Sequence, residues 1–214
     1  MFRRLFILLA FLLSLCIVCA HQPRLVSDEL TIVQNPEVSQ AFYGELRGEP
    51  ALYRIESDKP FSLYIGILVP DIEGIDKDVS AEITLETVEE HETILLNSSS
   101  IEWIQYYEEF AGDSYYRGPE FQREVDPGIY EIKVFSPDNK GKYVLVVGEK
   151  EVFTPEDMIN TILTLPKLKQ DFFEKSPFTA FFNLIGLFLF IFLLVILVTG
   201  FLLFRLSKSF IKKK

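Results

Sequence analysis

Sulfur is nearly missing from this chain. Of its 214 residues two are cysteine and two methionine, and both cysteines, Cys16 and Cys19, lie in the first twenty positions. From His21 onward no disulfide can form, so any domain there must be held by its apolar core alone. About 130 residues are enough for that. Histidine is equally scarce: His21 and His91 leave little for general acid–base chemistry. The sequence has no Ser/His/Asp ordering, HExxH, phosphate-cradling loop or cysteine nucleophile, so neither an enzyme nor a cofactor is expected. With 31 acids a glycosidase-type carboxylate pair can always be drawn, which keeps a hydrolase as the distant alternative. Bases are in deficit as well. All 31 acids lie between His21 and Lys175, beside 14 of the 21 bases. A stretch that acidic repels phosphate backbones and excludes nucleic acid as a partner.

What the chain has is two long apolar runs flanked by bases. Arg3 and Arg4 precede Leu5–Val18, and Val18-Cys19-Ala20 closes the run, the layout of a secretory signal over 1–20 cleaved after Ala20. An uncleaved signal-anchor is the alternative. The second run, 177–204, holds no charged residue. As a helix from Phe178 to Phe204 it would extend roughly 40 Å, against a hydrocarbon core of about 30 Å. One membrane crossing is expected, with Phe181, Phe182, Leu184, Phe188, Phe190, Phe192, Leu197 and Phe204 in contact with lipid. Arg205, Lys208, Lys212, Lys213 and Lys214 form a basic tail over 205–214, which puts the C-terminus in the cytoplasm and the N-terminus outside the cell membrane.

Between the runs the pattern has period two. Thr31–Val33, Gln40–Leu46, Leu52–Glu56, Phe61–Val69, Ala81–Leu85, His91–Leu96 and Ile101–Tyr107 read as strands separated by turn clusters. Phe61, Leu63, Ile65 and Ile67 should share one face of a central strand. Tyr130/Ile132/Val134 and Tyr143/Leu145/Val147, on either side of Ser136–Gly141, read as an antiparallel hairpin. The fold class expected for 21–152 is mainly β, an antiparallel β-sandwich or jelly roll.

The stretch EVDPGIYEIKVFSPDNKGKYVLVVGEKE, residues 124–151, resembles the closing strands of bacterial secreted β-sandwich modules of the pre-peptidase C-terminal kind. The matching residues are Pro127, Gly128, Tyr130, Gly141, Tyr143, Leu145 and Val147. The resemblance implies a fold, and an accessory or adhesive module rather than a catalyst. The order of signal, β-sandwich, span and short tail is also shared with eukaryotic cargo receptors of the early secretory pathway. Their luminal disulfide and long coiled coil are not present in this sequence.

Residues 153–176 change period. Thr154-Pro155-Glu156-Asp157 is a helix start; Met158, Ile159, Ile162 and Leu163 form a stripe that Pro166 should end. The helix is expected to pack on the sandwich or lie on the bilayer, and Leu168, Phe172 and Phe173 among Lys167, Lys169 and Lys175 to form an interfacial stretch. Three candidate sites remain. Asp71, Glu73, Asp76 and Asp78 could present carboxylates to Ca²⁺, with a solvated turn as the plainer reading. Glu89-Glu90-His91-Glu92 has metal-ligand residue types without a second histidine near it. Trp103, Tyr106, Tyr107, Glu108, Asp113, Tyr115 and Tyr116, read as one long loop, could stack and hydrogen-bond a sugar or peptide. Asn97-Ser98-Ser99 is a glycosylation sequon, and Asn183 with Gly186 a candidate helix contact. The function expected is non-enzymatic: an acidic binding or accessory module held at the outer membrane face, beside another membrane protein. A carbohydrate- or Ca²⁺-binding surface module is the alternative, with a surface glycan as partner.

Overall fold

A computed structural model describes residues 21–26, 29–87, 91–152 and 154–211. The expected signal over 1–20, the acids Glu89 and Glu90, and Lys212–Lys214 lie outside the described residues. Among the described residues eleven strands form two sheets: β1 (Gln22–Leu25), β2 (Leu30–Ile32), β3 (Gln40–Arg47), β4 (Ala51–Ser57), β5 (Phe61–Pro70), β6 (Ser80–Thr87), β7 (His91–Leu96), β8 (Ile104–Glu108), β9 (Asp113–Val125), β10 (Gly128–Phe135) and β11 (Lys140–Val147). One sheet has the order β1-β3-β11-β5-β9-β8, the other β2-β4-β10-β6-β7. Pairing is antiparallel except at one edge of each, where β1 runs parallel to β3 and β2 parallel to β4. The mainly β, sandwich-like fold is therefore as expected, with two short parallel edges added.

The alternating residues meet between the sheets. Ile55, Leu63, Ile65, Ile83, Tyr130, Ile132, Tyr143 and Leu145 have no exposed surface, and Phe61 and Ile67 join them on the inner face of β5. Each fully buried Ile or Leu contributes about 1.5–3 kcal/mol, which is how a domain without a disulfide holds together. Tyr53 and Tyr143 carry their hydroxyls into this core and satisfy them against each other at 2.8 Å. Tyr143 leans across Gly44, where a Cβ would lie 2.4 Å from its hydroxyl oxygen.

The expected hairpin of β10 and β11 is corrected. Gly128–Phe135 inserts between β4 and β6, while Lys140–Val147 inserts between β3 and β5 in the other sheet. The turn is an arch across the sandwich. A hairpin and an arch both bury every second residue, so alternation alone could not separate them. Expected long-loop character for 103–121 is also corrected: β8 and β9 are an antiparallel hairpin joined by residues 109–112. Gly118-Pro119 marks where β9 slips by one residue against β5, a bulge at which proline's missing N–H is tolerated.

Helix α1 (Pro155–Lys167) starts as expected, with Thr154 and Asp157 capping each other's backbone amides and Pro155 in the first turn. Pro166 does not end it. The helix continues to Lys167 and then widens into a π-turn, Leu168–Phe172, just after the proline removes a helical hydrogen bond. The apolar run does not become helical at Phe178 either. Pro177–Phe181 is a 3₁₀ turn, and helix α2 spans Leu184–Ile211. Within α2, Leu184–Leu202 is long and apolar enough to cross a membrane, with mean hydropathy 3.0 and 6% of that window buried. Phe190, Phe192, Leu197 and Phe204 are exposed along it, and Phe188 stacks on Phe192.

Candidate functional site

The root of α2 is gripped by the outer face of the six-stranded sheet, and the grip begins in the β8–β9 turn. Glu108 closes β8, and its carboxylate accepts hydrogen bonds from the backbone N–H of Phe110 (2.8 Å) and Ala111 (2.7 Å). Gly112 completes the turn at φ +71°, a backbone conformation that glycine adopts freely. The turn so shaped aims the Ala111 carbonyl outward. Lys169 Nζ donates to it at 2.6 Å and Asn183 Nδ2 at 2.8 Å.

Asp113, the first residue of β9, is 1% exposed and takes two lysines. Lys169 Nζ lies 2.6 Å from its Oδ2, both side chains 2% exposed, and Lys175 Nζ lies 3.0 Å from its Oδ1. Burying charges is tolerable only when they are paired and hydrogen-bonded, as here. Around the ions, Leu168, Phe172 and Phe173 pack on Ala41, Leu68, Tyr115, Val144 and Val146. Tyr43 meets Phe172 edge-on at 5.0 Å, and its hydroxyl bonds that of Tyr115 at 2.9 Å. Lys142 reaches over to the Phe172 carbonyl at 3.0 Å. Leu168, Phe172 and Phe173 are thus docked on protein, which corrects the interfacial reading. It also explains why β11 is apolar on both faces.

Asn183 links this grip to α2. Its Oδ1 accepts from the Gly186 N–H at 3.0 Å, capping the helix, while its Nδ2 holds Ala111 and Ala180. Gly186 is needed because a Cβ there would fall 1.8 Å from the Phe181 carbonyl oxygen. Asn183 and Gly186 therefore serve the junction inside one chain. Leu165, Ala180 and Ile185 close it beneath, with Phe110 and Ala111 against them.

The electrostatics follow from burial. Glu108 is raised above the ordinary carboxylate range, chiefly by desolvation and partly by the nearby Asp113 charge. The Tyr43 and Tyr115 phenols are held well above theirs for the same first reason. A cavity of about 40 Å³ remains among Tyr43, Tyr106, Glu108, Thr161 and Leu165. Ligand sites run to roughly 300–1,000 Å³, so this space suits a water or two and the site joins elements rather than housing a substrate.

The aromatic candidates split between two faces of the β8–β9 hairpin. Trp103 and Tyr116 pack against the core between the sheets; Trp103 donates to the Ser98 carbonyl at 3.2 Å and lies over Gly118. Tyr106 and Tyr115 are paired on the opposite face, Tyr115 buried. Tyr107 is 58% exposed, and Glu108 and Asp113 belong to the junction. The seven do not form one platform. Among the acidic-loop residues Asp71 accepts from Gln105 at 2.6 Å, and Lys77 sits over the Tyr116 ring. Among the described residues no group of three His, Cys, Asp or Glu is placed to hold a metal, so Asp71, Glu73, Asp76 and Asp78 do not converge. Asn97 is exposed and caps a short 3₁₀ turn, with Ser98 buried beneath it. Lys169, Lys175 and Tyr43 were not among the expected site residues, and Asn183 was expected only as a helix contact. Only Asn183 had a signal, an Asn just ahead of an apolar helical run.

These features define a β-sandwich class, and two solved structures resemble it weakly. The pre-peptidase C-terminal domain of a collagenase from Bacillus anthracis is 16% identical, covering 56% of this chain and 95% of that one at a TM-score of 0.31. A β-glucosidase from Paenibacillus barengoltzii is 12% identical, covering 60% of this chain and 13% of that one at a TM-score of 0.23. No protein-family model and no curated protein matches the sequence.

Proposed function

We propose that this chain is a non-enzymatic, single-pass membrane protein that mounts an acidic β-sandwich on the outer face of a cell membrane as an accessory module for a neighbouring membrane protein. The observation that carries the reading is the buried Asp113–Lys169 pair, with Lys175 at its rim, joined through Ala111 to the cap of α2 at Asn183. A flexible tether needs no such set. Burying an ion pair and a helix cap at the root of an apolar helix makes sense if the sandwich must be held at one distance and angle from the bilayer. The bases after the span, Arg205 and Lys208 onward, support a cytoplasmic C-terminus. The Tyr106–Tyr115 pairing and the engaged Asp71 favour neither a glycan nor a Ca²⁺ site. Extraction from native membranes in mild detergent, followed by affinity capture, tests the partner: a stoichiometric membrane protein is expected, and recovery of this chain alone overturns the accessory role. Protease added to intact cells should remove the sandwich; its survival overturns the orientation.

A further inference from the structure

Helix α1 lies across the six-stranded sheet with one apolar edge covered and another bare. Near its start Asp157 approaches Arg24 of β1, one edge of that sheet, at 3.7 Å. Near its end Leu165 packs with Phe110 and Ala111, in the turn beside β8 at the other edge. Thirteen residues reach about 20 Å and six strands about 24 Å, so the helix crosses most of the sheet's width. Thr161 and Leu165, one turn apart, look toward the sheet and line the cavity there. Residues two positions away are turned about 200° from them. Ile159 and Leu163 accordingly point away from the sandwich, 58% and 71% exposed, beside Met158 at 36%.

The bare edge is continuous with the apolar helix. Leu165 touches Ala180 and Ile185, the last in the first turn of α2. The 3₁₀ turn ahead of α2 exposes Phe178 (75%), and the residue that follows it, Phe182, is 85% exposed. An amphipathic helix with one apolar edge left bare by the described residues, leading at its C-terminal end into a helix long and apolar enough to span, has the composition of an interfacial helix. Charge does not supply the attraction. Glu156, Asp171 and Glu174 are exposed around it, Lys169 and Lys175 are taken by Asp113, and Lys167 is left.

We infer that the Ile159/Leu163 edge of α1, with Phe178 and Phe182, seats in the boundary between headgroups and acyl chains of the outer leaflet. The sandwich then stands on two points, this foot and the spanning helix. The inference rests on the membrane reading above, and seating needs no anionic lipid.

The test uses the full chain in phosphatidylcholine vesicles, with Cys16 and Cys19 replaced by Ser. Single thiols at Ile159→Cys, Leu163→Cys, Asn160→Cys and Leu197→Cys carry an environment-sensitive fluorophore. Nitroxide lipids labelled near the headgroup should quench positions 159 and 163 about threefold more than 160, as expected of a helix buried ~5–10 Å deep. Salt should not change this, and position 197 should respond to deep nitroxides. If 197 is quenched while 159 and 163 match 160, the foot is wrong and the span stands. If 197 is not quenched either, the membrane reading falls with it. Shielding of 159 and 163 from aqueous iodide without lipid quenching marks a protein contact and overturns the inference.

Discussion

Tyr53 and Tyr143 show how much a single hydroxyl can matter in this core. Neither phenol has solvent to turn to, and burial pushes Tyr143 up to about 12 and Tyr53 well above its ordinary value. Tyr53→Phe or Tyr143→Phe leaves the other hydroxyl without its partner and should cost about 1–3 kcal/mol; the double variant should cost less than the sum. Urea unfolding followed by Trp103 fluorescence measures all three. Glu108 gives a pH signature. Its folded pKa is raised from 4.5, so the folded state keeps the proton longer than the unfolded state. The stability it contributes is full below about pH 4.5 and declines as pH rises through the folded value. Glu108→Gln stays neutral, and thermal unfolding across pH should lose that decline. At this scale the sequence was half legible. Tyr130 and Tyr143 could be placed inward because alternation fixes a face. Asp113 and Lys169, 56 residues apart, looked like ordinary solvated charges because nothing local reveals a buried partner.

Among elements, the junction is where a small change should travel furthest. Lys169→Met removes the fully buried partner of Asp113 and should destabilise by about 3–5 kcal/mol. Lys175→Gln removes a half-exposed one and should cost about 1 kcal/mol or less. Equal losses in denaturant unfolding would contradict the buried geometry. Asn183→Ala should cost about 1 kcal/mol through the lost cap. Gly186→Ala must displace the Phe181 backbone, so limited proteolysis should cut the 176–183 segment faster in that variant than in Asn183→Ala. Strand positions were largely legible, since period two and turn residues mark them. The partnership of β10 and β11 was not, because an arch and a hairpin share one pattern. Nor was the start of α2: Phe178–Phe182 is as apolar as the helix itself, and the break is set by Asn183 and Gly186 meeting a turn far off in sequence.

For the whole molecule, the order of strands carries a consequence for biogenesis. The middle of each sheet is filled by the last strands made, β10 and β11. A chain ending at Asp126 would leave β4 apart from β6 and β3 apart from β5, so it should show no cooperative unfolding, while one ending at Glu151 should. Circular dichroism melts of the two fragments decide this. During synthesis, the five-stranded sheet cannot close until Phe135 has left the ribosome, nor the six-stranded sheet until Val147 has, and non-local pairing of this kind is slow. The apolar helix starts 37 residues behind, at Leu184. If α2 enters lipid as proposed, completion of the sandwich and entry of its stem fall close together, and a nascent chain delayed before β10 emerges would present two open-edged half-sheets to whatever chaperone stands nearest.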